Sequence, residues 1–238
     1  MYEVKTSRFE VVHVPLQQVP ELSGPYRGPR MPAQPDVTGL SCIGEVGTSK
    51  VYADESLVQE LDRLRSRGGL ANSSFFHSTG SLALSVIAKH EAILSAKELI
   101  KRGEKIATGE YVTGMGEYPR ARGGLDDVYV SDDPVNTREG MAITDDYPVI
   151  FGIHRQALSH LWPYELSDYG DGIRAGKEIS LAHVTSLTVP YDKLPETEEW
   201  SAQNTPGALT LSWDAASVIS YFGNYRFENM ASLATSGA

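Results

Sequence analysis

The stretch that most constrains the fold is an aromatic pair, Phe75-Phe76, followed by His77 and the small residues Ser78-Thr79-Gly80. Aromatic residues bounded by turn-forming residues predict a short buried strand. Small residues at its end leave backbone N–H groups accessible to a ligand. A histidine in this position either contacts a ligand or is a satisfied core side chain, and the segment alone favours the second reading.

Helical spacing follows this strand. Apolar positions recur at intervals of three and four residues, which predicts a helix with one buried face. These positions are Leu82, Val86, Ile87, His90 and Ile93/Leu94. Ser95-Ala96-Lys97-Glu98 then matches a capping box, in which a serine is followed three residues later by a glutamate, and it predicts the start of a second short helix.

The remaining patterns predict a mixture of helices and strands. Asp54 is a good helix cap, and the stripe Leu57, Val58, Leu61 and Leu64 predicts a helix behind it. We expect the acidic run 196–199 to be a solvated loop. Short apolar or β-branched runs predict strands at 9–14, 128–130, 148–153, 178–181 and 184–189.

The N-terminal region is unusually rich in proline. Six prolines fall between residues 15 and 35, a spacing that opposes helices and central strands. We therefore expect a proline-rich arm over residues 1–50, followed by one domain over residues 51–238. The arm could wrap the domain, bind a partner or remain loose, and we expect the first.

Charge and composition exclude several classes of function. The net charge is −10, which argues against a general nucleic-acid binder because phosphate binding needs a basic surface. The single cysteine, Cys42, excludes an internal disulfide framework, and the six histidines lack ligand spacing, so we expect no metal site. No secretory signal or membrane-length apolar run is visible, so we expect no membrane partner. The predicted location is the cytoplasm, or a target cell reached by export without a classical signal peptide.

Three residues carry the strongest functional pattern: His77 at the end of a strand, Tyr129 in Val-Tyr-Val-Ser before an expected helix start at 131–134, and Glu178 at the start of a strand. In order and surroundings they resemble the His-Tyr-Glu branch of the ADP-ribosyltransferase superfamily, which includes diphtheria toxin and the poly(ADP-ribose) polymerases. The resemblance covers roughly residues 70–190, and each motif alone is weakly specific.

Two positions depart from the family pattern. Ser78 replaces the usual glycine after the histidine, which narrows the floor of the expected pocket. Gly176 stands two positions before the glutamate, where arginine-modifying relatives carry Glu or Gln. The second departure argues against the Arg-Ser-Glu branch of the superfamily.

The resemblance implies a site for NAD, which is used as a substrate. Glu178 would stabilise the oxocarbenium-like transition state, and Tyr129 would stack on nicotinamide. The backbone of Ser78 would hold the carboxamide, and His77 would hydrogen-bond the adenosine ribose. Thr79 or Ser131 would add a hydroxyl contact. The loop 156–176 would select the acceptor through Tyr164, Asp168 and Tyr169.

The implied fold is α+β, with a split pair of antiparallel sheets, the cofactor across the gap, and flanking helices near 55–67 and 81–102. The implied activity is transfer of ADP-ribose to a macromolecule, with protein as the expected acceptor, as in a toxin or effector. Two alternatives stay open. One is a DNA- or RNA-modifying relative, including the RNA 2′-phosphotransferases, and the other is a catalytically inactive binding module. The sequence does not indicate an oligomeric state.

Overall fold

The computed structural model of the chain describes residues 8–13, 36–47, 49–67, 73–104, 126–132, 147–161 and 172–222. Several predictions lie outside the described residues. They concern most of the proline-rich arm, the helix expected after Asp132, and the acceptor contacts Tyr164, Asp168 and Tyr169.

The first elements form a small antiparallel sheet and a helix. They are β1 (Phe9–His13), β2 (Ser41–Val46), β3 (Ser49–Ala53) and α1 (Glu55–Ser66), with strand order β1-β3-β2. The strand predicted at 9–14 is confirmed as β1. Asp54 caps α1 as predicted, because its side chain accepts a hydrogen bond from the Leu57 N–H at 2.8 Å. A boundary at residue 50 would fall inside β3, whose central residue Val51 is fully buried.

The middle of the chain alternates short strands and helices. In chain order these are β4 (Phe75–Gly80), α2 (Leu84–His90), β5 (Ala92–Leu94), α3 (Ala96–Lys101) and β6 (Tyr129–Val130). The serine cap of α3 is confirmed, since Ser95 Oγ accepts a hydrogen bond from the Glu98 N–H at 3.4 Å. A single 3₁₀ turn over Ser81–Ala83 joins β4 to α2.

The long helix expected from Leu82 to Leu94 is wrong at both ends. Leu82 is 69% exposed, and α2 stops at His90 because Glu91 adopts the left-handed conformation with φ of 53°. Ala92, Ile93 and Leu94 then form β5, which pairs with the strand that begins at Glu178. Three consecutive buried residues suit a strand covered on both faces as well as a helix, so the spacing alone could not separate the two.

The last elements complete the main sheet. They are β7 (Pro148–Ile153), β8 (Ile173–Arg174), β9 (Glu178–Ser180), β10 (Val184–Val189), α4 (Leu194–Asn204), β11 (Leu209–Ser212) and α5 (Trp213–Tyr221). The strand order is β11-β10-β7-β4, with β10 and β11 parallel and the other pairs antiparallel. Two ribbons, β5-β9 and β6-β8, lie beside this sheet. The α+β class is thereby confirmed.

The acidic run 196–199, expected to be a loop, lies inside α4. Pro195 occupies the first turn of this helix, where its missing N–H costs nothing. The helix buries Thr197 and Ser201, and Trp200 packs edge-on against Phe151 of the core, with ring centroids 6.1 Å apart. The buried face therefore contains small polar residues, which leave little apolar periodicity for a sequence reading to detect.

Two hydrophobic cores meet at β11. One fills the space around β7 and β10, with Phe151, Ile153 and Leu187 fully buried. The other lies between β3, α1 and α5, and Leu209 and Leu211 of β11 belong to it. Because β11 also pairs with β10, it joins the small sheet to the main one. Within the described ranges, no helix combines the length and the apolar character needed to cross a membrane.

A buried charged cluster fastens the N-terminal strand to this second core. Arg8 is 8% exposed, and its Nη2 donates hydrogen bonds to Glu60 Oε2 and Ser212 Oγ, each at 2.5 Å. Its Nε contacts Asp214 Oδ2 at 3.1 Å, and its guanidinium lies 3.7 Å from the ring centroid of Tyr191. Burial by itself lowers the pKa of Arg8, but Glu60 and Asp214 outweigh it and raise the pKa, so this side chain stays charged.

Candidate functional site

His77 lies on β4, an edge strand of the main sheet, and its imidazole is a neutral hydrogen-bonding group. Its Nδ1 lies 2.8 Å from the backbone carbonyl oxygen of Tyr129. Desolvation lowers the pKa of the imidazole, while the hydrogen bond to Tyr129 acts in the opposite direction. Since a carbonyl oxygen can only accept, the neutral ring carries its proton on Nδ1. His77 Nε2 is therefore left as a hydrogen-bond acceptor.

Among the described residues, the outer edge of β4 is only partly covered. The Phe76 N–H donates to the Ser131 carbonyl at 2.7 Å, and the Ser131 N–H donates back to the Phe76 carbonyl at 2.9 Å. Phe76 therefore directs its backbone groups away from β7, and the alternation of an antiparallel ladder directs those of Ser78 the same way. Among the described residues, none makes a backbone hydrogen bond to Ser78 on that side. The buried Ser78 Oγ has no partner either.

Tyr129 lies next to this edge, in the ribbon β6-β8. It is directly paired with Arg174, and directly paired residues of antiparallel strands place their side chains on one face. Asp127, two residues before Tyr129, shares that face and contacts Arg174, with Nη2 and Oδ2 2.6 Å apart. The tyrosine side chain therefore shares its face of the ribbon with a fixed ion pair.

Glu178 begins β9, which follows β8 of the ribbon β6-β8 in the chain. The Val128 N–H donates to the Gly176 carbonyl at 2.7 Å, and the Ser95 N–H donates to the Lys177 carbonyl at 2.8 Å. The chain thus runs past β6 and then along β5. The side chain of Glu178 is 59% exposed.

Gly176 explains one departure noted in the sequence. Its φ of 82° lies in the left-handed region, in the turn between β8 and β9. Glycine adopts this conformation without a steric cost, whereas a Glu or Gln side chain would be strained there. The residue expected in arginine-modifying enzymes is therefore disfavoured by the backbone of this turn.

A small cavity of about 50 Å³ opens beside His77. His77 and Thr79 contribute its polar lining, and the rest is apolar: Ala83, Val86, Ile87, Ala92, Ile93, Leu94 and Leu99. Tyr129 and Glu178 do not line it. Leu94 pairs directly with Glu178, so both side chains lie on one face of the ribbon β5-β9. Pockets that enclose whole ligands measure roughly 300–1,000 Å³, so this cavity admits only part of a larger molecule.

The structure brings some of the six residues predicted to form the site into contact and places others apart. His77 and Tyr129 are in direct contact, and Ser131 joins their two strands while its side chain is buried. Ser78 lies at the sheet edge and Thr79 lines the cavity. Glu178 lies on the neighbouring ribbon, and the residues just before it are linked to β6 and β5 through backbone hydrogen bonds.

Sequence reasoning did not predict the contacts that link a chain of charged groups to Glu178. Arg102 Nη2 lies 3.2 Å from Glu178 Oε2, and Arg102 Nη1 lies 3.5 Å from His90 Nδ1. His90 Nε2 lies 2.7 Å from Glu104 Oε1, which Lys89 also contacts at 2.6 Å. Hydrogen bonds from Lys89 and His90 lower the pKa of Glu104. No local pattern indicates a contact between Arg102 and a residue 76 positions away.

The described residues contain no cluster of three or more His, Cys, Asp or Glu side chains that could hold a metal ion. Comparisons of the chain with protein-family models, with curated proteins and with solved structures found no match in any of the three.

Proposed function

We propose that this protein is an NAD-dependent ADP-ribosyltransferase that transfers ADP-ribose to a macromolecule, with protein as the acceptor. The observation that carries the proposal is the contact between His77 Nδ1 and the Tyr129 carbonyl, at a sheet edge that the described residues cover only in part. In this proposal the main sheet and the two ribbons act as the split sheets of the family, with NAD lying across the gap between them.

The edge of β4 offers the groups that an amide and a ribose need. The N–H and carbonyl of Ser78 point outward together and could bind both ends of a carboxamide, one accepting and one donating. His77 Nε2 could accept a hydrogen bond from a ribose hydroxyl, because Nδ1 already holds the proton. Accepting this hydrogen bond at Nε2 needs a neutral imidazole, and the lowered pKa of His77 favours that form.

Glu178 and Tyr129 supply what bond cleavage requires. As the bond between nicotinamide and ribose C1′ breaks, its electron pair leaves with nicotinamide and positive charge develops on the ribose. A carboxylate near the ribose stabilises that charge, and the exposure of Glu178 leaves it accessible to a substrate. Tyr129 would hold nicotinamide by stacking. The acceptor then bonds to C1′ and loses a proton.

The cavity beside His77 limits how the dinucleotide could bind. At about 50 Å³ it could take one small portion of NAD, with the remainder lying along the edge of β4 and across the ribbons. This arrangement leaves the reacting ribose near the protein surface, where a macromolecular acceptor could reach it.

The proposal is tested by incubating the protein with labelled NAD and either a cell lysate or oligonucleotides. We expect labelled protein bands and release of nicotinamide, both strongly reduced in Glu178→Gln. Glu45→Gln is the matched control, because Glu45 is a strand residue with 53% exposure and its own ion pair, to Lys50 at 3.0 Å. Labelled oligonucleotides would show that the acceptor is nucleic acid and not protein. Equal turnover by the wild-type protein and Glu178→Gln would refute the proposal.

A further inference from the structure

Among the described residues, only one of the two carboxylate oxygens of Glu178 has a partner. Its Oε2 contacts Arg102 Nη2 at 3.2 Å, while Oε1 has no partner among the described residues. The side chain is otherwise exposed, and an exposed glutamate samples several rotamers unless a neighbour holds it. Arg102 is the group that restricts Glu178.

Arg102 is itself held from its other side. Its Nη1 faces His90 Nδ1 at 3.5 Å, and its Nε lies 3.9 Å from Glu98 Oε2. On the other side of the ring, His90 Nε2 lies 2.7 Å from Glu104 Oε1. His90 and Glu104 are both largely buried, with side-chain exposures of 15% and 12%. The arginine is thus fixed by a buried pair behind it.

We propose that Arg102 is a positioning residue for Glu178, holding Oε2 so that Oε1 is presented to the ribose hydroxyls of the substrate. This inference rests on the function proposed above. Arg102 acts through Glu178 and does not touch the reacting atoms. Fixing a reacting group before the transition state raises kcat without a matching change in substrate binding.

The competing role for Arg102 is that of a phosphate ligand, since an arginine beside a dinucleotide site could bind the pyrophosphate. The two roles differ in kinetics. A phosphate ligand removed by mutation raises KM, whereas a positioning residue removed by mutation lowers kcat.

The test measures nicotinamide release by Arg102→Ala and Arg102→Lys over a range of NAD concentrations. For Arg102→Ala we expect kcat to fall about tenfold, equivalent to about 1.4 kcal/mol, with KM within about twofold of wild type. Arg102→Lys keeps a charged donor and should recover part of the loss. Arg65→Ala is the matched control, because Arg65 has the same 34% exposure and an ion pair with Asp62.

A double-mutant cycle adds a measurement that distinguishes a positioning residue from a merely structural one. In the Glu178→Gln background, Arg102→Ala should cause no further loss of residual turnover, because the group that it positions is already impaired. Additive losses, an unchanged kcat in Arg102→Ala, or a rise in KM alone would each overturn the inference while leaving the proposed function intact. An absence of Glu178-dependent turnover in the wild-type protein would refute the proposed function, and this inference with it.

Discussion

Glu60→Gln should destabilise the protein strongly, because both oxygens of this buried carboxylate accept hydrogen bonds. Glu60 Oε1 accepts from the Ser212 N–H at 2.6 Å, and Oε2 accepts from Arg8 Nη2 and from Ser212 Oγ. A glutamine has one oxygen, so in either orientation its NH₂ group faces a donor. The side chain is 4% exposed, and water cannot easily make up the loss.

The expected cost follows from that geometry. Breaking a buried ion pair by changing one partner costs about 3–5 kcal/mol. Asp214 still pairs with Arg8 in the variant, so we expect the lower end, about 3 kcal/mol. For a chain of this length, that loss lowers Tm by about 6–12 °C.

Urea unfolding followed by circular dichroism measures the free energy of unfolding of Glu60→Gln. The matched control is Asp62→Asn on the same helix, where the carboxylate is 62% exposed and pairs with Arg65, and where we expect a change below about 0.5 kcal/mol. If Glu60→Gln unfolds within about 0.5 kcal/mol of the wild-type protein, the reasoning about the buried cluster is refuted.

Two further predictions concern the main sheet. Because desolvation lowers the pKa of His77 below 6.5, the unfolded chain binds more protons than the folded one in acid. The free energy of unfolding should therefore fall as the pH drops below about 6.5, and His77→Gln should remove that part of the pH dependence. Urea unfolding at pH 7.5 and pH 5.5 measures this. An equal loss of unfolding free energy between the two pH values in both proteins would contradict the prediction. Gly152→Ala should cost about 1–3 kcal/mol, because its Cβ would lie 2.0 Å from Ser186 Oγ and 2.6 Å from Ser73 Oγ. Ser186→Ala in the same chain should recover part of that loss in thermal unfolding, and a stable Gly152→Ala protein would show that the strand can shift.

Local signals in the sequence predicted local structure well. Asp54 and Ser95 cap their helices as expected, because a cap depends on residues within one turn. The strands at 148–153 and 184–189 were also predictable, since buried β-branched runs between turn residues have few other solutions. The helix α4 was not predicted, because its buried face contains polar residues.

Long-range pairing could not be predicted in the same way. Ile93 and Leu94 fit a helix until their partners Ile179 and Glu178 are known, because the same spacing suits a buried strand. For the candidate site, the resemblance grouped His77 with Tyr129, but it could not indicate that the contact uses a backbone carbonyl. The ion pair of Arg102 with Glu178 depends on the pairing of β5 with β9, and no property of either residue alone reveals it.

The buried cluster around Arg8 also sets the order in which the chain can finish folding during synthesis. Arg8 emerges from the ribosome early, but Ser212 is 204 residues behind it and Asp214 is 206 behind. Until those residues emerge, the arginine lacks its hydrogen bonds to Ser212 and Asp214, and β1 cannot complete its anchorage to the second core. Docking of the first strand is therefore a late, non-local step, of the kind that slows folding and leaves strand edges exposed in the meantime.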